Sequence, residues 1–156
     1  MPKDRVLPRI AFHFESGVRL PHRKIIREIL LLMSEKENRQ FESLSYIFCS
    51  DEYLLDINKK FLSHDYYTDI ITFNLAESGS ESIVGEIYIS VDRVRENART
   101  HGSSFPDELL RVIFHGALHL CGYKDKKPAE IKAMRQAEDQ YLQRFHEMFH
   151  VKHLKR

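Results

Sequence analysis

His115 and His119 stand four residues apart in "FHGALHLCGYKDK", a run that stays largely apolar until it breaks at Gly122. At helical spacing, positions i and i+4 lie one above the other, about 5–6 Å apart at Cβ, so both imidazoles project from one face. Two ring nitrogens so placed can reach a single ion at about 2.0–2.1 Å. One helix face cannot close a tetrahedron, so a third ligand must arrive from elsewhere. Gly122 can take the left-handed conformation that ends a helix. The turn it makes lets Asp125, ten residues after His115, approach from another side. Two histidines and one carboxylate leave a fourth position for water, the pattern of a catalytic zinc site. Zinc can lower the pKa of such a water to about 7. The expectation is therefore one Zn2+ per chain on His115, His119 and Asp125, with the two histidines acting through the water that the metal activates.

Other residues on that face carry weaker signals. Position 116 is Gly where the H-E-x-x-H peptidase motif has its general base, and this Gly allows another backbone or a substrate to come close to the helix. Glu108 and Arg111 continue the histidine face toward the N-terminus. Glu108 is the helix candidate for the base of a peptide or amide hydrolase, and Arg111 is a candidate catalytic cation. Asn58, Asp65, Thr68 and Asp69 read more readily as turn and cap residues than as catalysts. His64 and His101 read as surface residues. Cys121 points away from His119 and reads as a small buried residue. Tyr123 either covers the site or packs under the turn.

The elements that must position these groups alternate between strand and helix. Ile10, Phe12 and Phe14 recur with period two, as do residues of "LSYIFCS", Leu44 to Ser50. Pro21 opens a helix carrying Ile25, Ile26, Ile29, Leu30 and Met33, and Ser50 caps "DEYLLDINKKF". "DIITFNL" and "IVGEIYISV" pair as a hairpin across a Gly/Ser loop. "DRVRENARTH" is a short helix. Ser104 with Asp107 forms a capping box, and Pro106 sits in the first turn of the histidine helix, which runs to about Cys121. A last helix follows Pro128. The expected fold is α/β (α+β): a mixed four-stranded sheet with one antiparallel hairpin, packed by helices, the metal site on a central His-bearing helix.

Composition bounds what such a chain can be. Its 156 residues fit a single domain spanning 1–156, and 42% hydrophobic with 30% charged residues suits a globular protein. No segment approaches the roughly 20 apolar residues of a membrane span, and "MPKDRVLPRIAF" lacks the apolar core of a secretory signal. Two cysteines make no disulfide framework, which fits a reducing compartment, and a cytoplasmic location is the expectation. Lys+Arg 24 against Asp+Glu 23 gives no global basic field, and "HVKHLKR" at the C-terminus reads as a solvated, frayed tail.

Three segments together resemble the YbeY family of zinc-dependent endoribonucleases. "HGALHLCGYKD" is similar to its H-G-x-L-H-L-x-G-Y-x-H signature. "INKKFLSHDYYTDIITF" (Ile57 to Phe73) is similar to its L-N-x-x-F-R-x-x-D-x-x-T-D-V-L-S-F segment, and "VGEIYIS" (Val84 to Ser90) to its G-D-I-x-I-S strand. The resemblance implies single-strand-specific cleavage of RNA in rRNA maturation, at the late 16S rRNA 3′ end, together with ribosome quality control. It implies partners in rRNA, the small ribosomal subunit and ribosome-associated proteins. Two departures touch the chemistry. Asp125 stands where the signature has a third histidine, with Lys124 before it, and Leu62 stands where the family has an arginine thought to assist at the phosphate. Leucine cannot stabilise developing negative charge, so that role is either lost, given to another cation such as Arg111 or His64, or left to the metal alone. Two other readings stay open: a zinc hydrolase of peptide or amide bonds, and a ribosome-assembly factor whose metal is structural.

Overall fold

The computed structural model describes residues 7–154. The start of "MPKDRVLPRIAF" and the last two residues of the cationic tail lie outside them. Four strands, β1 (Arg9–Phe14), β2 (Gln40–Cys49), β3 (Ile70–Asn74) and β4 (Ser82–Ser90), are interleaved with five helices. The helices are α1 (Arg23–Lys36), α2 (Asp51–Leu62), α3 (Val91–His101), α4 (Phe105–Leu120) and α5 (Pro128–Leu154). The sheet order is β1-β2-β4-β3. β1, β2 and β4 run parallel, with Phe12 beside Tyr46 and Tyr46 beside Ile87, whereas β3 returns antiparallel along β4 with Thr72 opposite Ile87. The mixed sheet with its one hairpin is thus the arrangement that the patterning implies.

β3 is trimmed to Ile70–Asn74 and Val91 opens α3 rather than closing β4, and at three further boundaries the difference from the sequence reading has a clear local reason. β2 starts at Gln40 because a bulge between Phe41 and Ser43 resets its phase. Phe41 and Leu44 are both fully buried although three residues apart, which simple alternation does not allow. α1 starts after Pro21, since His22 takes a left-handed conformation (φ 61°) and sets its ring edge-on to Phe149. α5 continues to Leu154, so "HVKHL" is helical rather than frayed. Lys152 meets Glu28 at 3.2 Å and His153 stacks on Phe149.

The histidine helix α4 begins as its cap residues require: the Ser104 hydroxyl accepts from the Asp107 amide. The Asp107 carboxylate does not close the box but accepts from His146 on α5 at 2.9 Å. From Glu108 onward the helix is buried nearly all round, the pattern of an element packed on several sides. Gly116 makes this possible on the sheet side. A Cβ there would lie 2.8 Å from Ile70 and 2.9 Å from Ile87, so side chains of β3 and β4, rather than a backbone or a substrate, use the room it leaves. The fully buried Tyr46 of β2 donates to the Ile113 carbonyl at 2.9 Å and pins the helix to the middle of the sheet. Only the stripe of Arg111, His115 and His119 stays partly accessible beyond Glu108.

Candidate metal centre

The turn after α4 brings Asp125, the candidate third ligand, to this stripe. Gly122 (φ 108°) is left-handed, as its place in the sequence predicts; its amide donates to His119 O and that of Tyr123 to Leu118 O. This is the paired bonding of a Schellman end. The Tyr123 hydroxyl donates to Glu37 at 2.5 Å, and Arg39 donates to the Cys121 carbonyl at 3.1 Å, so the α1–β2 connection anchors the turn. Tyr123 therefore packs under the turn. Replacing Gly122 with Ala forces a Cβ into a conformation that costs about 1–2 kcal/mol. A loss of that size in chemical denaturation, together with weaker metal binding, is the expected result.

Asp125 then faces both rings. Its Oδ2 lies 3.3 Å from His115 Nε2 and 3.1 Å from His119 Nε2, and the donor atoms of all three residues lie within 4.8 Å of one another. Ligands about 2.0–2.1 Å from a tetrahedral ion sit roughly 3.3 Å apart, so both separations from Asp125 match those of zinc ligands, while the 4.8 Å span of the set would narrow on binding one ion. The remaining ring nitrogens are held from behind. His119 Nδ1 donates to the Tyr123 carbonyl at 2.9 Å and His115 Nδ1 to the Glu138 carboxylate at 2.6 Å. Those acceptors assign the proton to Nδ1 and turn each Nε2 toward Asp125, the carboxylate–histidine arrangement common behind metal ligands. Burial alone would lower the His115 pKa, but Glu138, Asp125 and Asp69 more than reverse this and hold it above its ordinary value. The pocket thus favours a cation on that ring, whether proton or metal.

Glu138 is the residue that reading the sequence passed over. It is buried on α5 at 5% exposure, and besides His115 it accepts from Arg111 at 3.0 Å. Arg111 also meets Asp139 at 2.8 Å, so its guanidinium lies between two carboxylates and touches the centre through Glu138. Only spacing along a helix still unplaced in space could have pointed to Glu138, because a single acid among α5's charges carries no distinguishing pattern.

The centre opens onto a cavity of about 240 Å³ that Thr68, Asp69, Ile70 and Thr72 also line. An adjoining cavity of about 310 Å³ shares His115, Asp125 and Asp69 and extends toward His101, Glu108 and Glu138. Thr68 and Asp69 thus border the centre. Asp69 is half-buried, and its desolvation raises its pKa; it accepts from Asn97 at 3.3 Å while its carbonyl accepts from the Ser90 amide. Asn58, in contrast, is structural: it is buried and donates to the Tyr66 carbonyl at 2.8 Å. Asp65 is exposed and pairs with Lys59. His64 stacks on Tyr66, Leu62 ends α2 at 39% exposure, and Cys121 is half-buried, its thiol pushed up to about 12 chiefly by burial. Glu108 is buried and held by Ser103 at 3.2 Å, with His101 at 3.5 Å.

Known proteins share this chain's features over most of its length. The profile of the family described as Endoribonuclease YbeY matches residues 14–146. A protein of Cytophaga hutchinsonii named Endoribonuclease YbeY is 50% identical over 131 residues, covering 84% of this chain and 91% of its own. One of the same name from Porphyromonas gingivalis is 44% identical over 138 residues, covering 87% and 89%. The solution structure of a Thermotoga maritima protein superposes with a TM-score of 0.61 at 28% identity, covering 93% of each chain. The three sequence segments that resemble that family fall on α2 to β3, on β4, and on the C-terminal end of α4 that carries His115 and His119. With the match running from β1 into α5, the chain belongs to the Endoribonuclease YbeY family.

Proposed function

We propose that this chain, as one YbeY-like domain, is a metal-dependent endoribonuclease of rRNA maturation, with one zinc ion held by His115, His119 and Asp125. The observation that carries the reading is the convergence of three donor atoms, two of them aimed from behind, at the mouth of a cavity. The relatives' name supplies the RNA substrate. When bound, zinc supplies a Lewis acid able to polarise a phosphoryl oxygen or to lower the pKa of a water. The protein's own part is to orient. Glu138 and the Tyr123 carbonyl fix the ring tautomers, Arg111 holds Glu138 in place, and the Asp69 side can carry a proton beside the cavity. rRNA at the small ribosomal subunit, in the cytoplasm, is the proposed setting, and no described helix is long and apolar enough to cross a membrane. Peptide hydrolysis is less well supported, since Glu108 is already engaged by Ser103 and His101.

The test is cleavage of a single-stranded RNA, beside a matching duplex and a peptide, by zinc-loaded protein with and without chelator. Chelator-sensitive cleavage of the single strand alone is expected. Asp125→Ala should lower zinc content and cleavage together while leaving the circular dichroism spectrum unchanged, and Asp125→His should retain both. RNA binding without cleavage in every metal state would defeat the nuclease reading in favour of an assembly factor, and full zinc in Asp125→Ala would remove Asp125 from the ligand set.

A further inference from the structure

The stretch from the end of α2 into β3 displays more apolar surface than its packing requires. Phe61, Leu62, Tyr66 and Tyr67 are all exposed, with Tyr66 at 57% and Tyr67 at 48%. Exposed rings gathered in one stretch can mark a surface for a partner, whereas scattered single ones need no such account. These two rings are also held still. The Tyr66 backbone is pinned by the buried Asn58, whose carbonyl in addition accepts from the His64 amide at 3.2 Å. The Tyr66 ring lies nearly parallel to that of His64, centroids 5.1 Å apart, and its hydroxyl meets His64 Nδ1 at 2.9 Å. The Tyr67 hydroxyl donates to Glu52 at 3.0 Å, and the Arg93 guanidinium sits 5.4 Å over its ring. His64 stacks against Tyr66, more than half of whose surface stays exposed.

The position of this loop matters, because the next two residues, Thr68 and Asp69, line the cavity of the metal centre. We propose that Tyr66, backed by His64 and flanked by Tyr67, is a stacking subsite for a base of single-stranded RNA whose backbone passes the metal centre. The proposal rests on the nuclease reading above and names where that substrate is gripped. Unpaired bases stack on aromatic faces whatever their identity, and a ring already fixed loses little entropy in doing so. The local charges favour a base over a phosphate as the recognised group. Lys59 is paired with Asp65 and Arg93 with Asp51, and Leu62 is uncharged, which leaves Lys60 as the cation of the α2 end with no ion pair among those described. The stretch thus offers faces for stacking where a phosphate clamp would need free cations.

The experiment measures anisotropy of a fluorescein-labelled single-stranded oligoribonucleotide with the full chain in chelator, and KM and kcat for its cleavage by the zinc-loaded chain. Wild type is compared with Tyr66→Ala and Tyr66→Phe. Stacking is worth about 1–3 kcal/mol per base, so Tyr66→Ala should weaken binding about fivefold or more, with the loss in KM rather than kcat. Tyr66→Phe, which keeps the ring, should bind like wild type. RNA affinity and KM unchanged in Tyr66→Ala would overturn the subsite while the nuclease reading stands, and would leave the rings for a protein partner. A fall in kcat alone, or equal losses in the Phe and Ala variants, would overturn it too. A wild-type chain that neither binds nor cleaves RNA would defeat the nuclease reading itself, and the subsite with it.

Discussion

Elemental analysis of the His115→Ala/His119→Ala chain is expected to find no zinc, against about one ion per wild-type chain, and its RNA cleavage is expected to vanish. Two of the three converging donors are lost at once, so the fall in affinity should exceed the roughly 10–100-fold that removal of an outer-shell partner costs. The fold should survive. Both rings are only partly buried, at the open stripe of α4, and the apolar faces of that helix keep their contacts with the sheet, α3 and α5. Unchanged far-ultraviolet circular dichroism beside absent zinc would place the defect at the centre. Retained zinc in the double variant would mean that the metal is bound elsewhere and would sink the assignment.

Glu138→Ala is expected to damage both stability and metal affinity. Its carboxylate, nearly inaccessible, is the acceptor for His115 Nδ1 and one of two for Arg111. Removing one partner of a buried charge pair typically costs about 3–5 kcal/mol. Arg111 keeps Asp139 and is partly exposed, so a loss of about 2–3 kcal/mol in chemical denaturation is the more reasonable figure here. Zinc affinity, titrated against a competing chelator, should fall about 10–100-fold because the His115 ring loses its fixed tautomer and direction. Glu138→Gln keeps an acceptor without the charge and should fall between wild type and Ala on both measures. Stability lost with affinity intact would reduce Glu138 to a packing role and leave His115 oriented by its neighbours alone.

The two variants probe residues of different legibility. His115 and His119 are readable because a helix imposes a fixed angular step, so a spacing of four in an apolar run with a Gly after it already implies one face and one turn. The same local rule explains why the Ser50 and Ser104 caps, the Gly122 turn and the β3–β4 hairpin are where their residues suggest. Asp125 is readable because the turn that delivers it is itself local. Where a long-range pairing intervenes the local rule fails: the bulge against β4 shifts β2 out of simple alternation, and contact with Phe149 on α5 accompanies the left-handed His22.

By itself the sequence determined the element order, the helix periods, the caps, the α4 turn and the three candidate ligands His115, His119 and Asp125, because each depends on residues within a few turns of one another. Only the tertiary structure decided what stands behind and beside those ligands. Glu138 reaches His115 across 23 residues of chain, Glu37 reaches Tyr123 across 86, and Thr68 and Asp69 reach the cavity by way of an edge strand. Such contacts are set by how whole faces of helix and sheet pack together. That packing is a property of the assembled core and has no short-range pattern in the chain.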